Sequence, residues 1–427
     1  MSPLHHKLLR DLRRLWIQII PAGTVLGCGI AIFVMSIGTY ASLESARNEY
    51  YRQSKMADLT TSLVRAPDSI APSLALIPGV AAIETRTVGF GLIDLLTVDE
   101  PVTAQLLSLP EGRRPAVNDL TLRAGRWPEI HRPNEAVLNE AFASARGIEA
   151  GETISLLIRG ERKRFTIVGV ASSPEFVFAV APGSILPEPG RFGVLWIQRS
   201  TLASALELDG AFNDLVLRLS SETARAAVIA TIDQRLARYG NRGVYGRERM
   251  LSARYLSDEL SQLRTLASIL PPIFLLVAVF LIHSILSRLV GMERSNIGLL
   301  KSFGYRNWTI GWHYAQFSLA FSLVGIAIGI ALGLAVGDYM TGVYREVYHF
   351  PTLDFRTDAL TFGGAAAVGL LAGLLGAFSA VRRATGLAPI VALSPPTPTS
   401  FRKLSSRIEQ QLASLSLRSR MVVRRLM

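Results

Sequence analysis

Cysteine is nearly absent: the 427-residue chain carries one, Cys28. A disulfide framework and a Cys-based metal site are therefore excluded. Lysine is scarce as well. There are five, none follows a glycine, and so there is no Walker A loop to cradle nucleotide phosphates. No His-Glu-x-x-His, no Cys/His cluster and no Gly-x-Ser-x-Gly elbow occurs, which removes the zinc-hydrolase and serine-hydrolase sites. No catalytic residue, cofactor or metal is expected. Charged residues make up 18% of the chain, against about 25% in ordinary soluble domains.

What fills the chain instead is apolar. Hydrophobic residues reach 49% and mean hydropathy is +0.32. Four uncharged windows, residues 15–43, 265–287, 307–337 and 359–381, each exceed the roughly 20 residues that cross the hydrocarbon core as a helix. Residues 44–264 have soluble composition. The predicted fold class is an α-helical membrane protein with four transmembrane helices and an extracytoplasmic α+β domain inserted between helices 1 and 2. The first window is too long for the apolar core of a signal peptide and reads as a retained anchor.

The charges orient this layout. Residues 44–264 hold 26 basic and 26 acidic side chains. Segments 1–14, 288–306 and 382–427 carry net charges of +3, +3 and +8, and 338–358 carries −2. By the positive-inside rule the first three are cytoplasmic, placing both termini inside and the large domain and the 338–358 loop outside. The protein is thus expected as a multi-pass component of the cell's inner (plasma) membrane. The overall excess of +12 is accounted for by topology and attraction to anionic membrane lipid, and nucleic acid is not expected as a partner.

Helix-forming sequence continues past the first window through Ser42–Arg52, and Tyr255–Leu270 is equally uninterrupted with Leu256, Leu260 and Leu263 at helical spacing. These predict either a stalk that carries motion or a simple spacer. Pro271-Pro272 predicts a break, kink or helix start. In the outer domain, Thr153–Arg159 and Arg162–Val170 form a predicted hairpin about Gly160-Glu161, and Gly193–Gln198 and Asp214–Leu219 are further strands. Ser200 and Ser221 are helix start signals, and Gly240 is a stop. Phe176, Phe178 and Phe192 are assigned to core in preference to an apolar surface. Two lobes dividing near residues 120–130 are expected.

Between the second and third windows lies Met292-Glu293-Arg294-Ser295-Asn296-Ile297-Gly298-Leu299-Leu300-Lys301-Ser302-Phe303-Gly304-Tyr305-Arg306. It predicts a short helix with an apolar patch placed by Ile297, Leu300 and Lys301 with Phe303 nearby, Gly304 at the left-handed stop position and Asn307 capping the next helix. An exposed patch on a stiff element fits docking to a protein cleft, or burial in the lipid interface beside Leu299, Trp308 and Trp312. In the third window Gly325, Gly329, Gly333 and Gly337 recur every four residues, a stripe that permits close helix approach; Gly369 and Gly373 repeat it in the fourth and Gly23 and Gly27 in the first. Static packing and a sliding seam are both compatible with this. His283 is expected to bond to a neighbouring helix rather than to relay protons.

This arrangement resembles FtsX/MacB-like (type VII) ABC transporter permeases. The segment around Glu293–Arg306 is similar to their cytoplasmic coupling helix. Arg123–Pro128, Asn134–Glu140, Gly147–Thr153 and Phe165–Val170 resemble the MacB-like periplasmic core domain in order and spacing. Arg382-Arg383 followed by Pro389-Ile390-Val391-Ala392-Leu393 resembles the stretch after the last span of a permease repeat. The basic tail, Leu417–Leu426, is then open to two readings: the start of a second repeat, or an amphipathic segment on the cytoplasmic leaflet.

The resemblance implies a permease subunit that relays ATP-driven motion of a partner ATPase to the extracytoplasmic domain, for export or release of a substrate. ATP hydrolysis would reside in a separate ABC ATPase subunit dimer. Glu293, Ile297, Leu299, Leu300, Lys301, Phe303 and Gly304 would couple to it. A second permease unit, as homodimer or tandem repeat, is implied, and a periplasmic adaptor is a further partner the resemblance admits. The alternatives are a lipoprotein-releasing permease and a regulatory transmitter that activates a cell-envelope hydrolase. No charge bias or aromatic cluster names the substrate.

Overall fold

The computed structural model describes residues 3–94, 102–184, 187–348, 350, 352–386, 388 and 392. Both readings of the tail concern residues outside this set. The described residues divide into two compact units, one drawn from residues 3–22, 278–322 and 370–386, the other from residues 23–277 and 323–369.

The chain opens with α1 (Pro3–Gln53), 51 residues long, with Pro21 accommodated inside it. The outer domain follows as β1 (Leu59–Pro67), α2 (Ala71–Ala75), β2 (Val80–Arg86), β3 (Val88–Asp94), β4 (Val102–Leu109), β5 (Thr121–Gly125), β6 (Glu135–Asn139), α3 (Glu140–Arg146), β7 (Thr153–Ile158), β8 (Glu161–Ser172), β9 (Phe192–Gln198), α4 (Arg199–Ala205), β10 (Ala211–Leu219), α5 (Arg225–Leu236) and β11 (Tyr245–Gly246). Four helices follow among the described residues: α6 (Leu251–Met292), α7 (Arg294–Ser302), α8 (Asn307–Tyr348) and α9 (Ala359–Gly386). Among the described residues four helices, α1, α6, α8 and α9, are long and apolar enough to cross a membrane.

The outer domain has two sheets. Four antiparallel strands in the order β11-β1-β10-β2 form the smaller, and Leu59, Phe212, Leu215 and Leu217 pack against Val228, Ile232 and Leu236 of α5. The larger runs β5-β8-β6-β9-β4-β3-β7, and β7 pairs back onto β8, so six strands close into a barrel with β5 outside. Closure depends on the twelve residues of β8. Glu161–Thr166 pair with β7 and Thr166–Ala171 with β6. Inward-facing Ile93, Leu106, Leu138, Ile154, Leu156, Phe165, Ile167 and Leu195 fill the barrel with Phe142 of α3 and Leu202 of α4.

The two lobes are real, but the division near residues 120–130 is not where the chain separates them. β1 pairs with β10, some 150 residues away, and residues 121–125 belong to the barrel lobe. The barrel is thus inserted between β2 and β10 of the small sheet, an arrangement set by long-range pairing that local composition does not mark. The predicted hairpin forms with its turn one residue earlier: Arg159 (φ 50°) and Gly160 (φ 88°) make the two-residue loop, the left-handed pair that a tight hairpin requires. Ser200 does not cap. α4 already starts at Arg199, and the Ser200 N–H donates to Glu111 Oε1 at 3.0 Å. Ser221 does cap, its Oγ accepting from the Thr223 N–H at 3.3 Å ahead of α5, and Gly240 ends that stretch at φ 72°.

Two segments that carry the core-domain resemblance meet across this lobe. Arg126 grips the Glu135 carboxylate with both terminal nitrogens, at 2.8 and 2.5 Å. That contact, with further bonds from the Glu129 N–H and Arg132, holds the Glu135 carboxyl down at about 2. Gly125 (φ 76°) admits no side chain, because a Cβ would meet Gly169 Cα at 2.9 Å.

Where the outer domain meets the long helices, three rather than two of them form the stalk. Leu43, Tyr50 and Tyr51 of α1 pack with Leu256, Leu260 and Leu263 of α6, as the leucine spacing predicted, and Tyr344 and Tyr348 of α8 with Phe350 and Leu353 complete the cluster. α6 begins at Leu251 and runs through Pro271-Pro272, so these prolines neither break the helix nor start it.

Candidate coupling helix and glycine seam

α7 is delimited by backbone geometry. Glu293 leaves helical conformation (φ −87°, ψ 9°) between α6 and α7. At the other end Phe303 is the C-cap and Gly304 turns left-handed at φ 88°. The Gly304 N–H donates to Lys301 O at 3.0 Å and the Tyr305 N–H to Leu300 O at 3.1 Å. This pair of bonds is the Schellman closure, which needs the glycine. Asn307 does not cap α8. It is itself the first helical residue, and Arg306 O accepts from the Thr309 and Ile310 N–H groups.

The side chains of α7 divide differently from the sequence expectation. Ile297 is fully buried within its unit and Leu300 is half-buried. The outward apolar surface consists of Leu299 (49% exposed), Phe303 (73%) and Tyr305, continued by Met292 and by Trp308 (80%) and Trp312 at the start of α8. Glu293 and Lys301 are occupied inside the chain. Glu293 pairs with Lys7 of α1, which also approaches Asp11 at 3.7 Å. Lys301 Nζ donates to Thr385 O at 2.8 Å, one residue from the end of α9, where a cation meets unpaired helix carbonyls. Burial pushes the Lys301 ammonium pKa down. Of the seven residues, then, Leu299 and Phe303 present surface, Leu300 is half-buried, Gly304 shapes the turn, and Ile297, Glu293 and Lys301 fasten the helix to its own unit.

The glycine stripe is brought together with the small residues of α1. A Cβ on Gly325 would stand 2.7 Å from Leu26, on Gly329 2.5 Å from Ile30, and on Gly333 2.8 Å from Val34. The approach is reciprocal: a Cβ on Gly23 would stand 3.0 Å from Val324 and on Gly27 3.0 Å from Ile328 and 3.1 Å from Gly325 O. Gly337 takes another role, facing the Phe355 ring from the α8–α9 connection, which also fills the space beside Gly38 of α1. Gly369 of α9 packs on Ile326 and Ile30. In the other unit Gly373 leaves room for Ser322, and its carbonyl accepts from Ser318 Oγ at 2.5 Å. His283 of α6 lies with Nδ1 2.7 Å from Ser379 Oγ of α9, a bond between helices of the kind the sequence predicted.

Sequence reasoning missed three structural elements: the third stalk helix, the tethers on Glu293 and Lys301, and a buried ion triad in the outer domain. In the triad the Arg86 guanidinium takes Glu175 at 2.6 and 2.9 Å and Asp214 at 2.8 Å. Desolvation pushes the Asp214 carboxyl up, while the two carboxylates hold Arg86 charged against its own burial. Nothing in the local sequence marks Arg86, because its partners lie 89 and 128 residues away. Among the described residues no group of three His, Cys, Asp or Glu side chains is placed to hold a metal.

Residues 22–235 match the MacB-like periplasmic core domain and residues 268–389 match the FtsX-like permease C-terminal domain. No curated protein matches the chain. Among solved structures, the outer domain is similar to the extracellular domain of the noncanonic ABC-type transporter YknZ from Gram-positive bacteria (10% identity, 44% of this chain and 98% of that one, TM-score 0.31). It is also similar to the periplasmic region of MacB from Actinobacillus actinomycetemcomitans (13% identity, 50% and 97%, TM-score 0.31). With the first half of the chain matching one family and the last spans the other, the protein belongs to the FtsX/MacB-like family of ABC transporter permeases.

Proposed function

We propose that this chain is a mechanical relay between a partner ABC ATPase and the extracytoplasmic domain. The ATPase docks on the exposed Leu299, Phe303, Tyr305 and Trp308 surface. Ile297, Glu293 and Lys301 make α7 stiff by fastening it within its own unit, so that a push is transmitted rather than absorbed. α1, α6 and α8 are each continuous helices of 42 to 51 residues, and they carry the displacement to the stalk cluster. The glycine seam lets α1 and α8 move as closely packed bodies. Both termini and α7 lie in the cytoplasm, the outer domain beyond the inner (plasma) membrane, and a second copy or repeat supplies the other half of the machine. ATP is hydrolysed in the partner, and a substrate is exported or released at the outer face.

The observation that carries this reading is the division of α7 into a tethered side and an exposed aromatic side. To test it, the tagged chain is solubilised gently from native membranes and the copurifying proteins are identified for the wild type and for Phe303→Ala and Leu299→Ala. Truncation of a docking anchor costs about 2 kcal/mol or more, roughly a 30-fold loss of affinity, so the ATPase should be lost while the permease level persists. Undiminished ATPase recovery in both variants removes the docking surface. Recovery of an envelope hydrolase in place of any ATPase replaces the relay for transport with regulatory transmission.

A further inference from the structure

The connection from β8 to β9 leaves the barrel as Ser173-Pro174-Glu175-Phe176-Val177-Phe178, and four consecutive residues of it reach three different bodies. Ser173 Oγ accepts from the Glu175 N–H at 3.3 Å and shapes a single 3-10 turn, Pro174–Phe176. From that turn the Glu175 carboxylate reaches the small sheet, taking both terminal nitrogens of Arg86 at 2.6 and 2.9 Å. Arg86 on β2 stands directly opposite Asp214 on β10 in the ladder, and Asp214 Oδ1 accepts from Nε at 2.8 Å. The guanidinium is thereby aimed and nine-tenths buried. Phe176 turns back to the barrel, edge-on to Trp196 of β9 with centroids 6.1 Å apart. Val177 and Phe178 enter the stalk. Val177 is buried in the cluster of α1, α6 and α8 side chains. The Phe178 N–H donates to Ser252 Oγ in the first turn of α6 at 3.0 Å, and its ring lies 4.6 Å from Tyr255 and 5.7 Å from Tyr348.

Beside this joint lies a cavity of about 210 Å³ bordered by Arg86, Glu175, Phe178, Tyr245 and Ser252. Close-packed interiors resist displacement, because every shift costs contacts on all sides. A segment that is bonded at three points but open along one flank can pivot without opening a new void.

We propose that Arg86 is a positioning residue for the relay: by gripping Glu175 it makes the segment Ser173–Phe178 a latch through which a displacement of the stalk moves the barrel lobe and the small-sheet lobe together. The bidentate grip fixes the direction of the 3-10 turn, and with it the direction in which Phe178 enters the stalk. Without the grip the turn is free to rotate, so that a displacement of the stalk is absorbed at Phe178 and neither lobe swings relative to the stalk. This inference rests on the relay reading above.

The test uses the native complex purified through a tag on the full chain, with Cys28→Ser and spin labels at Ser204→Cys on α4 and Ser261→Cys on the stalk, both exposed positions. The label distance is measured without nucleotide and after trapping with Mg-ATP and vanadate, alongside the rate of ATP hydrolysis. In the wild type the distance distribution changes on trapping. In Arg86→Met and Glu175→Gln the hydrolysis rate is retained and most of that change is lost, whereas Arg86→Lys, which keeps the charge without the fork, restores part of it. A purely structural role would lower the melting temperature and leave the amplitude unchanged, and that result overturns the latch. If Arg86→Met does not fold, Glu175→Gln alone decides, since it keeps the shape and removes the charge. No distance change in the wild type despite ATP hydrolysis refutes the relay itself, not the latch.

Discussion

Gly329→Ala is the sharpest probe of the membrane helices. The added methyl would stand 2.5 Å from Ile30 Cβ, 2.6 Å from its Cγ2 and 2.8 Å from Gly27 O. Carbon atoms in ordinary contact are about 3.5–4.0 Å apart, so α1 and α8 must part by about 1 Å or Ile30 must leave. Ile30 has no route: it is buried at 1% exposure, and β-branching fixes its χ1 in a helix. Parting the helices loosens the flanking contacts of Gly325 with Leu26 and Gly333 with Val34 as well. Overpacking of this kind costs about 1–3 kcal/mol. Alanine returns about 1 kcal/mol of helix propensity, leaving a net loss of about 0–2 kcal/mol. Gly342→Ala, on the same helix but with no atom within 4 Å of the new methyl, should be neutral or gain up to about 1 kcal/mol from propensity alone. Unfolding of both full-length variants by SDS titration in mixed micelles reads the difference directly. If Gly329→Ala proves as stable as Gly342→Ala, α1 and α8 are not in backbone contact and the seam is wrong.

Two further outcomes concern the tethers and the outer domain. Lys301→Ala should release α7 from the end of α9 and raise amide hydrogen exchange across residues 294–304, with Lys301→Gln failing to restore protection; unchanged exchange would show that the ion–dipole contact holds nothing. In the outer domain, the depressed Glu135 carboxyl stabilises the native state fully above the 4.5 of a free glutamate, and that contribution is lost as pH falls toward about 2. Exchange protection of β5, β6 and β8 should therefore fall through that window, and Glu135→Gln should lower protection at neutral pH and flatten the acid dependence. An acid dependence as steep in the variant as in the wild type would exclude Glu135 as its source.

The tethered helix bears on how force enters such a permease. The inner face of α7 is locked by Ile297 packing and by the contacts of Glu293 with Lys7 and of Lys301 with Thr385; under the proposed relay, an ATPase on its outer face would act on a short lever. A charged residue on a coupling helix is readily taken for a partner contact. Here Glu293 and Lys301 are held by partners within the chain instead, and the outward surface of the segment is made by aromatic and aliphatic residues.

Much of this could be read directly from the chain. The spans follow from uncharged length, the stop of α7 from the one residue type that adopts φ 88° without strain, and the α6 stalk face from leucines at helical spacing, because each of these is fixed by neighbours within a turn or two. The glycine every fourth residue fixed that a seam exists and on which face of α8. It could not say that α1 lies against that face, since helix association depends on a surface hundreds of residues away. The same limit hid the Arg86 triad, the third stalk helix and the insertion of one lobe into the other. Local physics determined which elements form and which faces they bury. Only the tertiary structure decided which distant partner fills each face, and it turned Glu293 and Lys301 from expected docking groups into internal fastenings, because an ion pair is defined by where its partner is and not by the charge alone.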